Sequence, residues 1–128
     1  MLVVDTSAVL AALTGGGPPA LIARLSEDGD LHAPHLLDTE ILHALRRLAR
    51  QRTITESRAE DIRTDVDELA VTRYPHAPLS DRVWELRGNL TAYDATFVAL
   101  AEALGVPLIT CDRRLSSAPG HSATVEHF

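Results

Sequence analysis

Two short apolar segments, one near each end of the chain, stop abruptly at an aspartate. Residues 1–4 read Met-Leu-Val-Val and precede Asp5, and residues 106–111 read Val-Pro-Leu-Ile-Thr-Cys and precede Asp112. A short apolar run bounded by polar residues is typical of a buried β-strand. Parallel α/β sheets bind ligands just outside the carboxyl ends of their strands. Both aspartates are therefore predicted to lie at a ligand-binding edge of one sheet.

Helical patterns separate these two segments and set the fold class. Strands are predicted at residues 1–4, 31–34, 71–74, 106–111 and 124–126. Helices are predicted at residues 7–13, 21–25, 36–50, 57–70 and 80–87, and from Thr91 or Asp94 up to Gly105. Strands that alternate with helices indicate a mainly parallel sheet in an α/β fold. We expect residues 1–128 to form a single domain, since a chain of this length buries an adequate core.

Two further acids lie on the apolar faces of predicted helices. Glu40 falls between Leu37 and Ala44 on one apolar stripe, and Asp94 precedes Phe97 by three residues on another. Two like charges about 4 Å apart repel by roughly 4 kcal/mol at an effective dielectric constant near 20. Converging carboxylates must therefore bind protons or share a metal ion. Oxygen ligands alone favour Mg²⁺ or Mn²⁺.

Each of the four acids also has an ordinary structural explanation. Asp5 is a suitable N-cap for the helix that follows it, and Asp94 completes a helix start as N-cap or in a capping box with Thr91. Asp112 would serve to end its strand in a turn, and an arginine partner would neutralise Glu40. Glu40 is the hardest to explain in this way, because an unpaired carboxylate buried in mid-helix costs several kcal/mol.

Composition limits the possible environment and partners of the chain. Its one cysteine, Cys111, excludes an internal disulfide and any cysteine-rich zinc site. No segment approaches the ~20 apolar residues of a membrane span, so we expect a cytoplasmic protein with no membrane partner. The net charge of −6 argues against a general nucleic-acid binder. All 12 basic residues are arginine, which grips phosphates with two hydrogen bonds.

The absence of lysine argues against two classes of protein that bind or accept phosphate. A Walker-type phosphate loop at Gly15 to Gly17 would need a lysine. A receiver-like phospho-acceptor domain has strand-end acids and magnesium, but it needs a lysine near its last strand. A phosphatase of the haloacid-dehalogenase type needs an aspartate where this chain has Ser7. A non-catalytic binding domain with an acidic pocket, its acids acting as caps and ion pairs, stays open as an alternative.

Four motifs together resemble those of a known family. They are Val-Val-Asp-Thr-Ser at 3–7, Leu-Leu-Asp-Thr-Glu-Ile-Leu-His-Ala-Leu-Arg-Arg-Leu at 36–48, Tyr-Asp-Ala-Thr-Phe-Val-Ala-Leu-Ala-Glu at 93–102 and Leu-Ile-Thr-Cys-Asp-Arg-Arg-Leu at 108–115. Their order and spacing resemble the PIN-domain ribonucleases, and among these the VapC toxins of bacterial VapBC toxin–antitoxin modules. The resemblance implies a three-layer α/β/α fold with a mainly parallel central sheet of four or five strands.

The resemblance also implies a function and a set of site residues. It implies a metal-dependent endoribonuclease toxin that hydrolyses RNA phosphodiester bonds, with a VapB-type antitoxin as partner and a homodimer as its assembly. The implied catalytic and metal-binding residues are Asp5, Glu40, Asp94 and Asp112, with Mg²⁺ or Mn²⁺ as cofactor and Ser7 and Thr110 as supporting hydroxyls. We expect Arg46, Arg50 and Arg113 to guide the RNA backbone.

One position departs from the pattern of the family. Many PIN domains carry a further acid shortly after the fourth, whereas Arg113, Arg114 and Leu115 follow Asp112 in this chain. We therefore do not expect a complete second metal site.

Overall fold

The computed structural model describes all 128 residues of the chain. One sheet contains five parallel strands: β1 (Leu2–Val4), β2 (Leu31–Pro34), β3 (Val71–Tyr74), β4 (Leu108–Thr110) and β5 (Val125–His127). Seven α-helices accompany it: α1 (Thr6–Thr14), α2 (Pro19–Asp28), α3 (Leu36–Arg50), α4 (Glu56–Glu68), α5 (Ser80–Glu85), α6 (Ala92–Leu104) and α7 (Arg113–Ser117). The predicted α/β class and five-stranded parallel sheet are confirmed.

The order of the strands brings the two ends of the chain together. Across the sheet the order is β3-β2-β1-β4-β5. After β1, the chain adds β2 and β3 on one side of it and then β4 and β5 on the other side. Val4 is paired with Ile109, which places the ends of β1 and β4 side by side. Ligand sites in parallel sheets form where the strand order reverses in this way. Asp5 and Asp112 follow the two strands at this point.

Two groups of helices pack around the central strands. Helix α1 contacts α2, α3 and α4, whereas α6 contacts β1, β2 and β4 and carries α5 on its other side. Every residue from Ala95 to Ala101 is buried, because α6 lies between the sheet and α5. Gly105 ends α6 in a left-handed conformation (φ 66°), which glycine adopts without the steric cost of a β-carbon.

The strand β4 is shorter than the predicted segment 106–111. The backbone N–H of Val106 still bonds to the carbonyl oxygen of Ala101 at the end of α6, and Pro107 has no N–H to donate. At the other end, the N–H of Cys111 donates to the hydroxyl of Ser7 instead of to a strand. Hydrogen bonds outside the sheet at both ends therefore remove residues that apolar patterning assigns to the strand.

The glycine-rich segment after α1 makes a sharp bend between two helices. Gly15 adopts φ 74° and ends α1, and Pro19 stands in the first turn of α2, where its missing N–H costs nothing. The two helices meet at 109°. No single helix is long and apolar enough to cross a membrane, and only α1 and α2 taken as a bent pair pass that test, by length and composition alone.

A partly buried ion pair joins α5, α6 and the segment before β5. The Arg82 guanidinium donates to both carboxylate oxygens of Glu102, at 2.7 and 3.0 Å, and the N–H of Ser122 donates to the same carboxylate at 2.8 Å. These bonds, above all those from Arg82, lower the pKa of Glu102 from 4.5 to about 2. The ionised carboxylate is therefore the form that stabilises the fold.

We expect Glu102→Gln to destabilise the protein by about 1 kcal/mol at neutral pH, because charge-assisted hydrogen bonds become neutral ones. The lowered pKa means that this stabilisation is complete above the unfolded-state pKa and is lost as the pH falls toward about 2. Urea denaturation at several pH values measures it.

A matched control is Glu60→Gln, which alters the exposed Arg63–Glu60 pair within α4. We expect little change, since exposed ion pairs contribute little. Equal effects of the two substitutions, or a Glu102 effect that does not shrink in acid, would contradict the importance of the Arg82–Glu102 pair.

Candidate active site

Asp5 is both the cap of α1 and a buried member of the candidate site. Its side chain is 6% exposed. One carboxylate oxygen accepts from the N–H of Ala8 at 2.9 Å, which caps the helix, and from the Ser7 hydroxyl at 2.7 Å. The other oxygen accepts from the Thr110 hydroxyl at 2.5 Å. Capping and site membership are therefore compatible roles of one carboxylate.

Ser7 and Thr110 connect the segment after β1 to the segment after β4. The Ser7 hydroxyl oxygen accepts from the N–H of Cys111 at 2.9 Å, and the Thr110 hydroxyl oxygen accepts from the N–H of Asp112 at 2.9 Å. The two hydroxyl oxygens are 3.3 Å apart. Because each hydroxyl also donates to Asp5, these two side chains set the position of Asp5 relative to the backbone of Asp112.

Glu40 lies half-buried on α3 and accepts a hydrogen bond from the Thr6 hydroxyl at 2.7 Å. None of the arginines forms an ion pair with it, so the arginine-partner explanation does not apply. Helix α1 packs against α3, which places Thr6 within reach. Thr6 is a supporting hydroxyl that sequence reasoning missed; its position directly after Asp5, on the first turn of α1, was the available signal.

Asp94 lies in the first turn of α6 but does not cap it. Thr91 is the cap, and its hydroxyl oxygen accepts from the backbone N–H of Asp94 at 3.2 Å. Of the two hydrogen bonds of a capping box, the structure therefore has the one from the N–H of Asp94 to the Thr91 hydroxyl. The cap bond uses the backbone of Asp94, so the half-buried carboxylate is available for another role.

Asp112 follows β4 and caps the short helix α7. It accepts from the N–H of Arg114 at 2.9 Å, and its other oxygen lies 3.1 Å from the Arg114 guanidinium. Arg114 thereby holds the pKa of Asp112 below its usual value. The side chain of Arg114 is 90% exposed, so solvent screens this ion pair.

Each of the four carboxylates lies close enough to two of the others for their charges to affect one another's pKa values. Burial raises the pKa of Asp5, Glu40 and Asp94, and nearby negative charges raise each further. Asp94 and Asp5 act on Glu40, while Asp112 acts on both Asp94 and Asp5. Three of the four acids are thus held in surroundings that disfavour their ionised forms.

The chemistry of this group fits a divalent cation, although the side chains are not drawn together around one. No three of the histidine, cysteine, aspartate and glutamate side chains lie close enough together to coordinate a single metal ion. Asp5 is engaged by hydroxyls and Asp112 by Arg114. All four groups offer oxygen ligands, and a cation would offset the burial and the repulsion that raise the pKa values of Asp5, Glu40 and Asp94.

A cavity of about 570 Å³ opens beside Glu40. Its walls include Thr6, His43, Arg47 and Tyr93. Arg47 thus provides a positive charge near the acids that the sequence analysis did not select.

None of the three arginines selected from the sequence lines this cavity. Arg46 lines a separate groove between α3 and α4, because consecutive helical residues point about 100° apart. Arg50 is exposed at the end of α3, and Arg113 is exposed at the start of α7, next to Asp112.

Comparison with known sequences decides the family. The PIN domain family model matches residues 2–120. The chain belongs to the PIN-domain family. It is 48% identical over 120 residues to Ribonuclease VapC1 of Mycobacterium tuberculosis, covering 92% of this chain and 90% of that protein. Ribonuclease VapC12 of the same organism is 36% identical over 126 residues, 98% of either chain.

Solved structures share the same PIN fold. A protein from Pyrobaculum aerophilum has a TM-score of 0.74 at 25% identity, over 97% of this chain and 81% of its own. VapBC2 from Rickettsia felis, solved bound to a DNA fragment from its promoter, has a TM-score of 0.73 at 12% identity, over 98% and 97%. The sarcin-ricin-loop-cleaving toxin VapC20 of Mycobacterium tuberculosis has a TM-score of 0.64 at 20% identity, over 91% and 94%.

The raised pKa of Glu40 leads to a stability prediction for the metal-free PIN domain. A raised carboxyl pKa means that the folded state loses stability, relative to the unfolded state, as the pH rises from below 4.5. Glu40→Gln removes this loss and keeps an oxygen that accepts from Thr6. We expect the variant to be more stable at neutral pH by about 0.5 kcal/mol, a small gain because solvent screens a half-exposed group.

Urea denaturation with chelator at low salt measures this effect, with Glu68→Gln on the exposed face of α4 as control. The advantage of Glu40→Gln should disappear below the unfolded-state pKa, where both residues are neutral. A variant less stable than the parent at neutral pH would show that ionised Glu40 does not destabilise the folded protein.

Proposed function

We propose that this chain is a divalent-cation-dependent endoribonuclease and the toxin of a toxin–antitoxin pair. The proposal is carried by the mutual influence of Asp5, Glu40, Asp94 and Asp112: burial and the neighbouring negative charges together raise the pKa values of Asp5, Glu40 and Asp94. Relatives named as VapC ribonucleases, at 48% and 36% identity, support RNA as the substrate. We also propose that residues 1–128 act as one domain, since 24 buried residues form one connected core.

The four acids would hold Mg²⁺ or Mn²⁺. When bound, such a cation lowers the pKa of a water molecule and neutralises charge on the phosphodiester. The protein's own contribution is to fix the acids: Ser7 and Thr110 hold Asp5, and Thr6 holds Glu40. Arg113 and Arg114 stand where a fifth acid would be needed, so we propose no second complete cation site.

The RNA backbone would reach the acids along the cavity beside Glu40. Arg47 and His43 line that cavity, and the exposed Arg113 and Arg114 lie at the same sheet edge as Asp112. Arginines at the entrance offset the net charge of −6 for a polyanionic substrate. We therefore favour Arg47 and Arg113 over Arg46, which lies in a different groove.

A separate apolar groove suits a protein partner. It has a volume of about 240 Å³ and lies between α1 and α2, and eight of its nine lining residues are hydrophobic, among them Val9, Leu13, Ile22 and Leu25. We propose a VapB-type antitoxin segment as its occupant, supported by the likeness of this fold to VapC chains solved in VapBC complexes. The other partner that we propose is a second copy of this chain, as a homodimer.

The direct test is cleavage of labelled RNA by the purified protein. We expect cleavage in Mg²⁺ or Mn²⁺ that chelator abolishes, and a loss of roughly a hundredfold or more in Asp5→Asn and Glu40→Gln. The matched control is Asp38→Asn, two residues from Glu40 on α3, where the carboxylate pairs with Arg73. This variant should cleave RNA at the parental rate.

Cleavage that survives both chelator and Asp5→Asn would refute the proposed site. A protein that binds RNA without cutting it under any metal condition would instead support the non-catalytic alternative. Because Glu40→Gln is expected to be folded and slightly more stable, its inactivity would not be explained by unfolding.

A further inference from the structure

A second groove continues from the cavity beside Glu40 and differs from it in character. Its volume is about 370 Å³, and it shares Leu36 and Tyr93 with the first cavity. Its other walls include Trp84, Arg87 and Thr96. No aspartate or glutamate lines it, whereas Arg87 contributes a positive charge.

Two aromatic rings in this groove are exposed to an unusual degree. Trp84 is 68% exposed and Tyr93 62% exposed, although rings of this size contribute most to stability when buried. Trp84 is the one tryptophan of the chain, and the chain has only two tyrosines. Trp84 and Tyr93 both line this one groove, and exposed apolar surface gathered in one place marks a binding site.

Arg87 holds the exposed tryptophan in place. Its guanidinium carbon lies 4.3 Å from the centroid of the Trp84 ring, and it donates to the backbone oxygen of Trp84 at 2.9 Å. The guanidinium is thus anchored over the indole ring, and the pair places a cation and an aromatic ring together at the end of α5. We call this surface, with Tyr93, the stacking platform.

We propose that the stacking platform, formed by Trp84, Arg87 and Tyr93, binds an unpaired RNA base beside the cleavage site; this inference rests on the proposed ribonuclease function. Proteins hold single-stranded RNA by stacking its splayed bases on aromatic rings and arginine planes. The groove that contains the platform continues into the one that contains Glu40, so a single strand occupies both. A positively charged aromatic groove without carboxylates matches a base followed by its phosphate.

The platform restricts the substrate to unpaired regions. A base inside a double helix is already stacked between its neighbours and is not free to lie on Trp84. The enzyme therefore selects loops, bulges or single-stranded ends, and the identity of the stacked base has little effect, because every base presents a flat face.

The single tryptophan allows a direct measurement in the protein made unable to cleave by Asp5→Asn. We expect single-stranded RNA to quench the Trp84 fluorescence, while inorganic polyphosphate and duplex RNA of equal length leave it nearly unchanged. In anisotropy titrations with labelled single-stranded RNA, Trp84→Ala should bind roughly tenfold more weakly. Trp84→Phe, which keeps an aromatic face, should recover most of that affinity.

Trp84→Leu is the matched control for apolar surface. We expect the leucine variant to bind as weakly as the alanine variant. If leucine restores RNA affinity as well as phenylalanine does, base stacking is refuted. If light scattering shows that Trp84→Ala breaks a dimer while RNA affinity per chain is unchanged, the surface is an interface between copies and the inference falls.

The outcomes also separate this inference from the proposed function. Chelator-sensitive RNA cleavage that Trp84 variants retain at parental affinity and rate would overturn the stacking platform and leave the ribonuclease in place. A protein that neither binds nor cleaves RNA would overturn both.

Discussion

The hydrogen bond from the Thr110 hydroxyl to the buried carboxylate of Asp5 joins the two ends of the chain at the edge where the site forms. It crosses from β4 to the residue after β1, over a separation of 105 residues. The Thr110 hydroxyl also accepts from the N–H of Asp112. The side chain of Thr110 therefore fixes the position of Asp5 relative to the backbone of Asp112.

Three of the acids that are proposed to hold a cation also take part in helix starts. Asp5 and Asp112 cap helices, and Thr91 uses the backbone of Asp94 to cap a third. The caps hold each acid at a defined place, since an N-cap fixes the backbone just before the helix. The caps do not relieve the cost of burying the carboxylates or the repulsion among them, which together raise the pKa values of Asp5, Glu40 and Asp94. The proposed cation would offset both effects.

Much of this arrangement could be predicted from the sequence, because strand ends and helix faces follow from local patterns. Apolar runs located β1 and β4, and helical spacing located Glu40 on the face that meets α1. Contacts between distant segments have no such signature. The bond from Thr6 to Glu40 depends on how α1 packs against α3, and Arg47 rather than Arg46 reaches the cavity because of the rotation of α3. The extent of β4 depended on bonds to Ala101 and Ser7 that patterning does not show.

The central claim is that the four acids form one cation site, and calorimetric titration of the metal-free protein with Mn²⁺ tests it most directly. The parent should bind Mn²⁺, and Asp38→Asn should bind it equally well, because Asp38 is paired with Arg73 outside the group. Asp5→Asn, which removes the charge of the most buried acid, should lose most of the binding. Equal Mn²⁺ affinity in Asp5→Asn and the parent, or no binding by the parent, would contradict the claim.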